Sequence, residues 1–89
     1  VLQQQMEVIN KLGLHARASA KLTQTAGGFQ SEIWLSHHGK RVNAKSIMGV
    51  MMLAANQGTR LRVEIDGPDE TEALHAIEAL IGSRFGEDE

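Results

Sequence analysis

A chain of 89 residues has room for one domain, spanning residues 1–89, and buries only about 60–65% of its unfolded surface, which argues against a deep enclosed active site. It has no cysteine, which excludes disulfides, thiolate nucleophiles and cysteine-based zinc sites, and a net charge of −2 with Phe29, Trp34 and Phe85 as the only aromatic residues gives no basis for nucleic-acid binding. The longest apolar stretch, Ile47 to Ala55, is interrupted by Gly49 and too short to cross a bilayer, and no cationic segment followed by an apolar run opens the chain, so a small soluble domain of the cytoplasm is expected.

Taken in chain order, Leu2, Met6 and Val8 recur at even positions among glutamines, the period of a half-buried strand. Asn10 to Gly13 ends that strand as a loop. Residues 16–26 favour a helix with Ala18, Leu22 and Ala26 on its inner face, stopped by Gly27 and Gly28, one of which suits the left-handed residue beyond a helix end. Phe29, Ser31, Ile33 and Leu35 alternate with Gln30, Glu32, Trp34 and Ser36 as a second strand. His37 to Lys40 reads as a hairpin turn, and Lys40 to Asn43 as a brief third strand.

Ser46 is the natural N-cap of a short helix carrying Ile47, Val50, Met51 and Ala54. Leu61, Val63 and Ile65 alternate with charged residues in a fourth strand after Gln57-Gly58-Thr59. Gly67-Pro68-Asp69 is a turn, and Asp69 with Glu72 has the spacing of a reciprocal capping pair. The last helix has Ala73, Leu74, Ile77, Leu80 and Ile81 as its core stripe. Beyond Gly82 the polar, acidic chain is expected to fray, with Glu87-Asp88-Glu89 a solvated end. The order is β-α-β-β-α-β-α, and strands with one apolar face each predict an α+β two-layer sandwich: a single sheet with three helices on one face. Strand order is left open.

The segment Gly13-Leu14-His15-Ala16-Arg17-Ala18 puts His15 at a helix N-cap. There the first-turn N–H groups of Ala16, Arg17 and Ala18 lack intrahelical partners and suit a phosphate. The positive end of the helix disfavours an imidazolium, which leaves the ring a usable nucleophile. Arg17 can add a charge-assisted contact, and small Ala16 and Ala20 leave the surface open to a partner. Taken alone, a histidine before a helix is an ordinary surface residue. His37 and His38 point to opposite sides of an extended chain, and His75 follows a core position on a helix. No metal or cofactor is expected.

Gly13-Leu14-His15-Ala16-Arg17 resembles the active-site signature of the HPr family, the histidine-containing phosphocarriers of the bacterial phosphoenolpyruvate-dependent sugar phosphotransferase system. Asn43 to Met51 is similar to the family's regulatory segment, and Gln57-Gly58-Thr59 to its loop before the fourth strand. The resemblance covers nearly the whole chain. It implies an open-faced β-sandwich with a four-stranded antiparallel sheet. It also implies that His15 receives phosphate on Nδ1 from Enzyme I, with Arg17 assisting, and donates it to IIA-type domains of sugar permeases, as a carrier rather than an independent enzyme. By the same resemblance Ser46 is the target of HPr kinase/phosphorylase, and Ile47, Met48 and Met51 form a docking patch beside the histidine. A monomer without membrane insertion is expected. One departure lies inside the motif: family members commonly have proline after the arginine, where this chain has Ala18.

Two other readings stay open on the sequence. The Gly67-Pro68-Asp69 turn, the acidic start of the last helix and the Phe85-containing tail look somewhat like carriers of a nitrogen-linked phosphotransferase branch, against which the segment after Ser46 weighs. The other is a non-catalytic α+β module binding RNA or a small effector, which the fold alone permits.

Overall fold

The structure, a computed structural model, describes residues 1–88. The elements run β1 (Leu2–Glu7), α1 (Ala16–Gly27), β2 (Glu32–His37), β3 (Lys40–Asn43), α2 (Ile47–Met52), β4 (Arg60–Asp66) and α3 (Glu70–Gly82), followed by a single turn at Arg84–Gly86. The four strands form one antiparallel sheet in the order β1-β4-β2-β3. Register follows from burial: Met6 lies opposite Leu61, Ile33 opposite Ile65, and Leu35 opposite Val63, so the apolar residues share one face. Gln3, Gln5, Trp34, Arg41, Arg62 and Glu64 occupy the other face, where the Arg41 guanidinium stacks 4.2 Å from the Trp34 ring centre. The three helices cover the apolar face, contributing Ala18, Leu22 and Ala26 from α1, Val50 from α2, and Ala73, Ile77 and Ile81 from α3. Leu74 and Leu80 are half-buried at the edge of that core. The result is the open-faced α+β sandwich expected from the sequence.

Local chemistry explains where the elements depart from expectation. Helix α1 ends without a left-handed residue: Gly28 keeps φ −78°, ψ −5°, and its N–H tightens onto the carbonyls of Thr25 and Ala26. Phe29 to Ser31 lies outside β2, because the Asp69 carboxylate takes the N–H groups of Gln30 and Ser31 at 2.9 Å each and the Ser31 hydroxyl as well. That commitment also removes Asp69 from the expected capping pair with Glu72. Glu70 closes the turn instead, accepting from the Gly67 N–H at 3.2 Å. Ala54 is neither helical nor core. It turns the chain with φ +51° and is exposed, while Leu53 and Ala55 on either side are buried.

The largest departure is at the C-terminus, which does not fray as far as it is described; Glu89 lies outside the described residues. Arg84, Phe85 and Gly86 all have positive φ (57°, 56° and 76°), so the chain reverses after α3 and buries the Phe85 ring completely. The Lys21 ammonium donates to the Phe85 carbonyl at 2.6 Å and ties the turn to α1. Among the described residues no helix is long and apolar enough to cross a membrane, and no group of three potential metal ligands occurs.

Candidate functional site

The loop before α1 is built to deliver one residue. Gly13 has φ +70°, and a Cβ there would lie 2.4 Å from the Ala55 carbonyl oxygen, so the backbones of the two loops touch where only glycine fits. The Leu14 N–H donates to the same carbonyl at 2.9 Å, and the Ser19 hydroxyl to the Leu14 carbonyl at 3.0 Å. Leu14 and Ser19 are buried, so the entry to the helix is anchored from both sides. His15 follows as the N-cap, extended at φ −75°, ψ −179°, with its side chain 29% exposed.

Both ring nitrogens are engaged. The Arg17 backbone N–H donates to Nδ1 at 3.3 Å, a capping bond made by an imidazole rather than by the usual hydroxyl or carboxylate. Nε2 is hydrogen-bonded to Oε2 of Glu87. The other Glu87 oxygen accepts from the side-chain amide of Asn10 at 3.0 Å, and that same amide nitrogen donates to the Gly13 carbonyl at 2.8 Å. Burial works against the Glu87 charge, but the hydrogen bonds from Asn10 and then His15 outweigh it and hold the carboxyl below its usual range.

The first intrahelical bond runs from the Ser19 N–H to the His15 carbonyl at 2.8 Å, so the N–H groups of Ala16, Arg17 and Ala18 stand outside the ladder. Of these, that of Arg17 is the one taken by Nδ1. The Arg17 side chain and Ala16 are exposed, and with Lys11, Leu12, His15 and Glu87 they border an open depression of about 720 Å³. Ala20 is half-buried on the following turn. The Ala18 side chain is fully buried, so the position that departs from the family motif serves the core with its methyl group.

Helix α2 packs against α1. The Ser46 hydroxyl caps it, accepting from the Gly49 N–H at 3.2 Å, and Ser46 is exposed. Ile47, Met48 and Met51 are 39%, 68% and 41% exposed, an unusual density of open apolar side chains on a six-residue helix whose buried member is Val50. Lys45 does not face Ser46 with a free ammonium, since it donates to the Phe29 carbonyl at 2.8 Å. His37 and His38 sit at the β2–β3 hairpin, bordering a separate groove with Arg60 and Arg62, and His75 is exposed on α3.

Asn10, Leu12 and Glu87 were not singled out from the sequence. Only Phe85 signalled the last of these: an apolar ring inside an acidic tail implies that the tail returns to the core, which carries Glu87 to His15.

Known proteins resemble this chain over most or all of its length. A family model described as the PTS HPr component phosphorylation site matches residues 2–83. A phosphocarrier protein HPr from Cupriavidus necator is 62% identical over 89 residues, covering all of both chains. The crystal structure of HPr-C-His from Thermoanaerobacter tengcongensis superposes with a TM-score of 0.96 at 46% identity, again over the full length of both. A structure described as an HPr dimer from the same organism has a TM-score of 0.79 at 50% identity, covering 92% of this chain and 94% of that one. These relatives do not favour the nitrogen-branch alternative.

Proposed function

The chain belongs to the HPr family of phosphotransferase-system phosphocarriers, and on that premise we propose that His15 accepts a phosphoryl group on Nδ1 from phosphorylated Enzyme I and donates it to IIA-type domains of sugar permeases. The observation that carries this reading is the capping bond: Nδ1 already lies against the Arg17 N–H, in the helix turn whose N–H groups stand outside the intrahelical ladder. On transfer the Nδ1 electron pair forms the N–P bond while the bond from phosphorus to the donor breaks, its electrons leaving with the donor. The Arg17 N–H then exchanges the ring nitrogen for a phosphoryl oxygen, and the N–H groups of Ala16 and Ala18 are available to the same group. The exposed Arg17 guanidinium adds charge-assisted hydrogen bonds.

Docking is assigned to Ala16 and Ala20 of α1 with Ile47, Met48 and Met51 of α2, since flexible methionines repack against several partners. Ser46 is assigned as the regulatory phosphorylation site, acted on by an HPr kinase/phosphorylase. A phosphate there keeps the cap while adding about −1.5 to −2 charges beside the docking patch. The protein is read as a cytoplasmic, single-domain monomer. Size-exclusion chromatography with light scattering tests that state, and a dimer peak at micromolar concentration would contradict it.

The functional test is incubation with phosphoenolpyruvate and Enzyme I. The parent chain is expected to gain one acid-labile phosphoryl group and His15→Ala none. Arg17→Ala is expected to slow acceptance at least about tenfold with unchanged melting, as loss of a preorganised charge contact does. Full labelling of His15→Ala would contradict the reading.

A further inference from the structure

The hydrogen bonds around His15 form a directed run whose two ends cannot reverse. At one end the Gly13 carbonyl can only accept, so the Asn10 side-chain atom facing it is the amide nitrogen. That nitrogen spends its second hydrogen on Oε1 of Glu87. At the other end the Arg17 backbone N–H can only donate, so the Nδ1 it meets carries an electron pair and no proton. A neutral ring with a bare Nδ1 has its proton on Nε2, and Nε2 faces Oε2 of Glu87. Glu87 is therefore met by a donor at each oxygen, a demand that a carboxylate satisfies and an amide does not.

We propose that Glu87 is a positioning residue for phosphoryl transfer, keeping the His15 proton on Nε2 so that the Nδ1 electron pair stays available. This rests on the reading of His15 as phosphoryl acceptor. The residue adds a second effect through the same bond. When the Nδ1 pair forms the N–P bond, the donor's bond to phosphorus breaks and the ring takes on positive charge with its Nε2 proton retained. The carboxylate stands against that proton, across the ring from the incoming phosphoryl group, and stabilises the charge where it develops. A carboxylate orienting an imidazole by one nitrogen so that the other can act is a general arrangement in histidine chemistry. Here the carboxylate is supplied by the C-terminal turn. The burial of Phe85 and the Lys21 bond to its carbonyl hold that turn in place, so the chain end is part of the site.

Two variants test this with a readout that fold stability does not move. In Glu87→Gln the side chain keeps its shape but must point its amide nitrogen at Asn10 or at Nε2. In Glu87→Ala the ring loses the charge and retains only the Arg17 contact. The measurement is the ring ¹⁵N signature of unphosphorylated His15 at neutral pH, paired with the rate of acceptance from Enzyme I. The parent is expected to have a protonated Nε2 and a bare Nδ1. Glu87→Gln is expected to shift toward a mixture of tautomers, and both variants to accept phosphate about tenfold more slowly, the effect of losing one charge-assisted hydrogen bond. An unchanged ring signature in Glu87→Gln overturns the proposal, and so does acceptance by both variants within about twofold of the parent. A parent chain that takes no phosphate at His15 contradicts the functional reading instead, while the ring signature still decides the role of Glu87.

Discussion

Gly13 concentrates the cost of presenting His15. Its left-handed φ alone costs a non-glycine residue about 1–2 kcal/mol, and the Ala55 carbonyl 2.4 Å from an added Cβ is backbone that cannot rotate aside. Gly13→Ala is therefore expected to destabilise the fold by at least about 1–2 kcal/mol in urea unfolding and to slow phosphate acceptance by displacing the N-cap. Stability equal to the parent would mean that the two loops part without penalty. Ser46 is a milder case. Ser46→Ala loses a cap worth about 1 kcal/mol and is expected to accept phosphate normally. Ser46→Asp keeps a capping oxygen and is expected to melt near the parent while accepting more slowly at low salt, with partial recovery at high salt. Unimpaired transfer by a folded Ser46→Asp would leave the regulatory assignment without a physical mechanism. At this scale the sequence was legible wherever a role rests on neighbours in the chain: His15 and Ser46 as N-caps follow from position alone. Glu87 lies 72 residues from its partner, and no neighbour in the chain except the Phe85 ring points to its role.

Among the elements, strands and helices were legible because each has one apolar face, and their connections less so because competing hydrogen bonds decide them. Asp69 shows how. An N-cap role for Asp69 was the local reading, but the chain brings Gln30 and Ser31 to the same carboxylate, and three donors outbid one helix terminus. Asp69 therefore fastens the start of β2 to the turn before α3. The Ser31 hydroxyl first and the Gln30 N–H second hold its carboxyl below the usual range against the opposing effect of burial, with a lesser contribution from the Ser31 N–H. A depressed folded value means that the unfolded chain takes up the proton more readily. This contribution is thus complete at neutral pH and is lost as pH falls through the folded value. Urea midpoints measured across an acid series are expected to fall less steeply for Asp69→Ala, from a lower starting point. An acid limb parallel to the parent's would contradict the assignment.

Over the whole molecule, the layer arrangement follows from the alternation of apolar residues in β1, β2 and β4, and the register from the need to put Met6, Ile33, Leu35, Leu61, Val63 and Ile65 on one side. The order β1-β4-β2-β3 did not follow, since alternation fixes faces and not neighbours. The C-terminal turn was missed because its composition is that of a tail, and only the Phe85 ring opposes that reading. Filling the core with that ring makes the chain end structural: Phe85→Ala is expected to cost about 3–5 kcal/mol by thermal or urea unfolding, and a loss below about 1 kcal/mol would mean that the ring packs loosely. Fold, anchored loop and returning chain end all converge on one imidazole ring. The most direct measurement is ³¹P–¹⁵N coupling in the ¹⁵N-labelled protein after phosphorylation by Enzyme I and phosphoenolpyruvate. The account predicts phosphorus bonded to Nδ1 of His15 and to no nitrogen of His37, His38 or His75; phosphorus on Nε2, on another histidine or on a hydroxyl alone would contradict it.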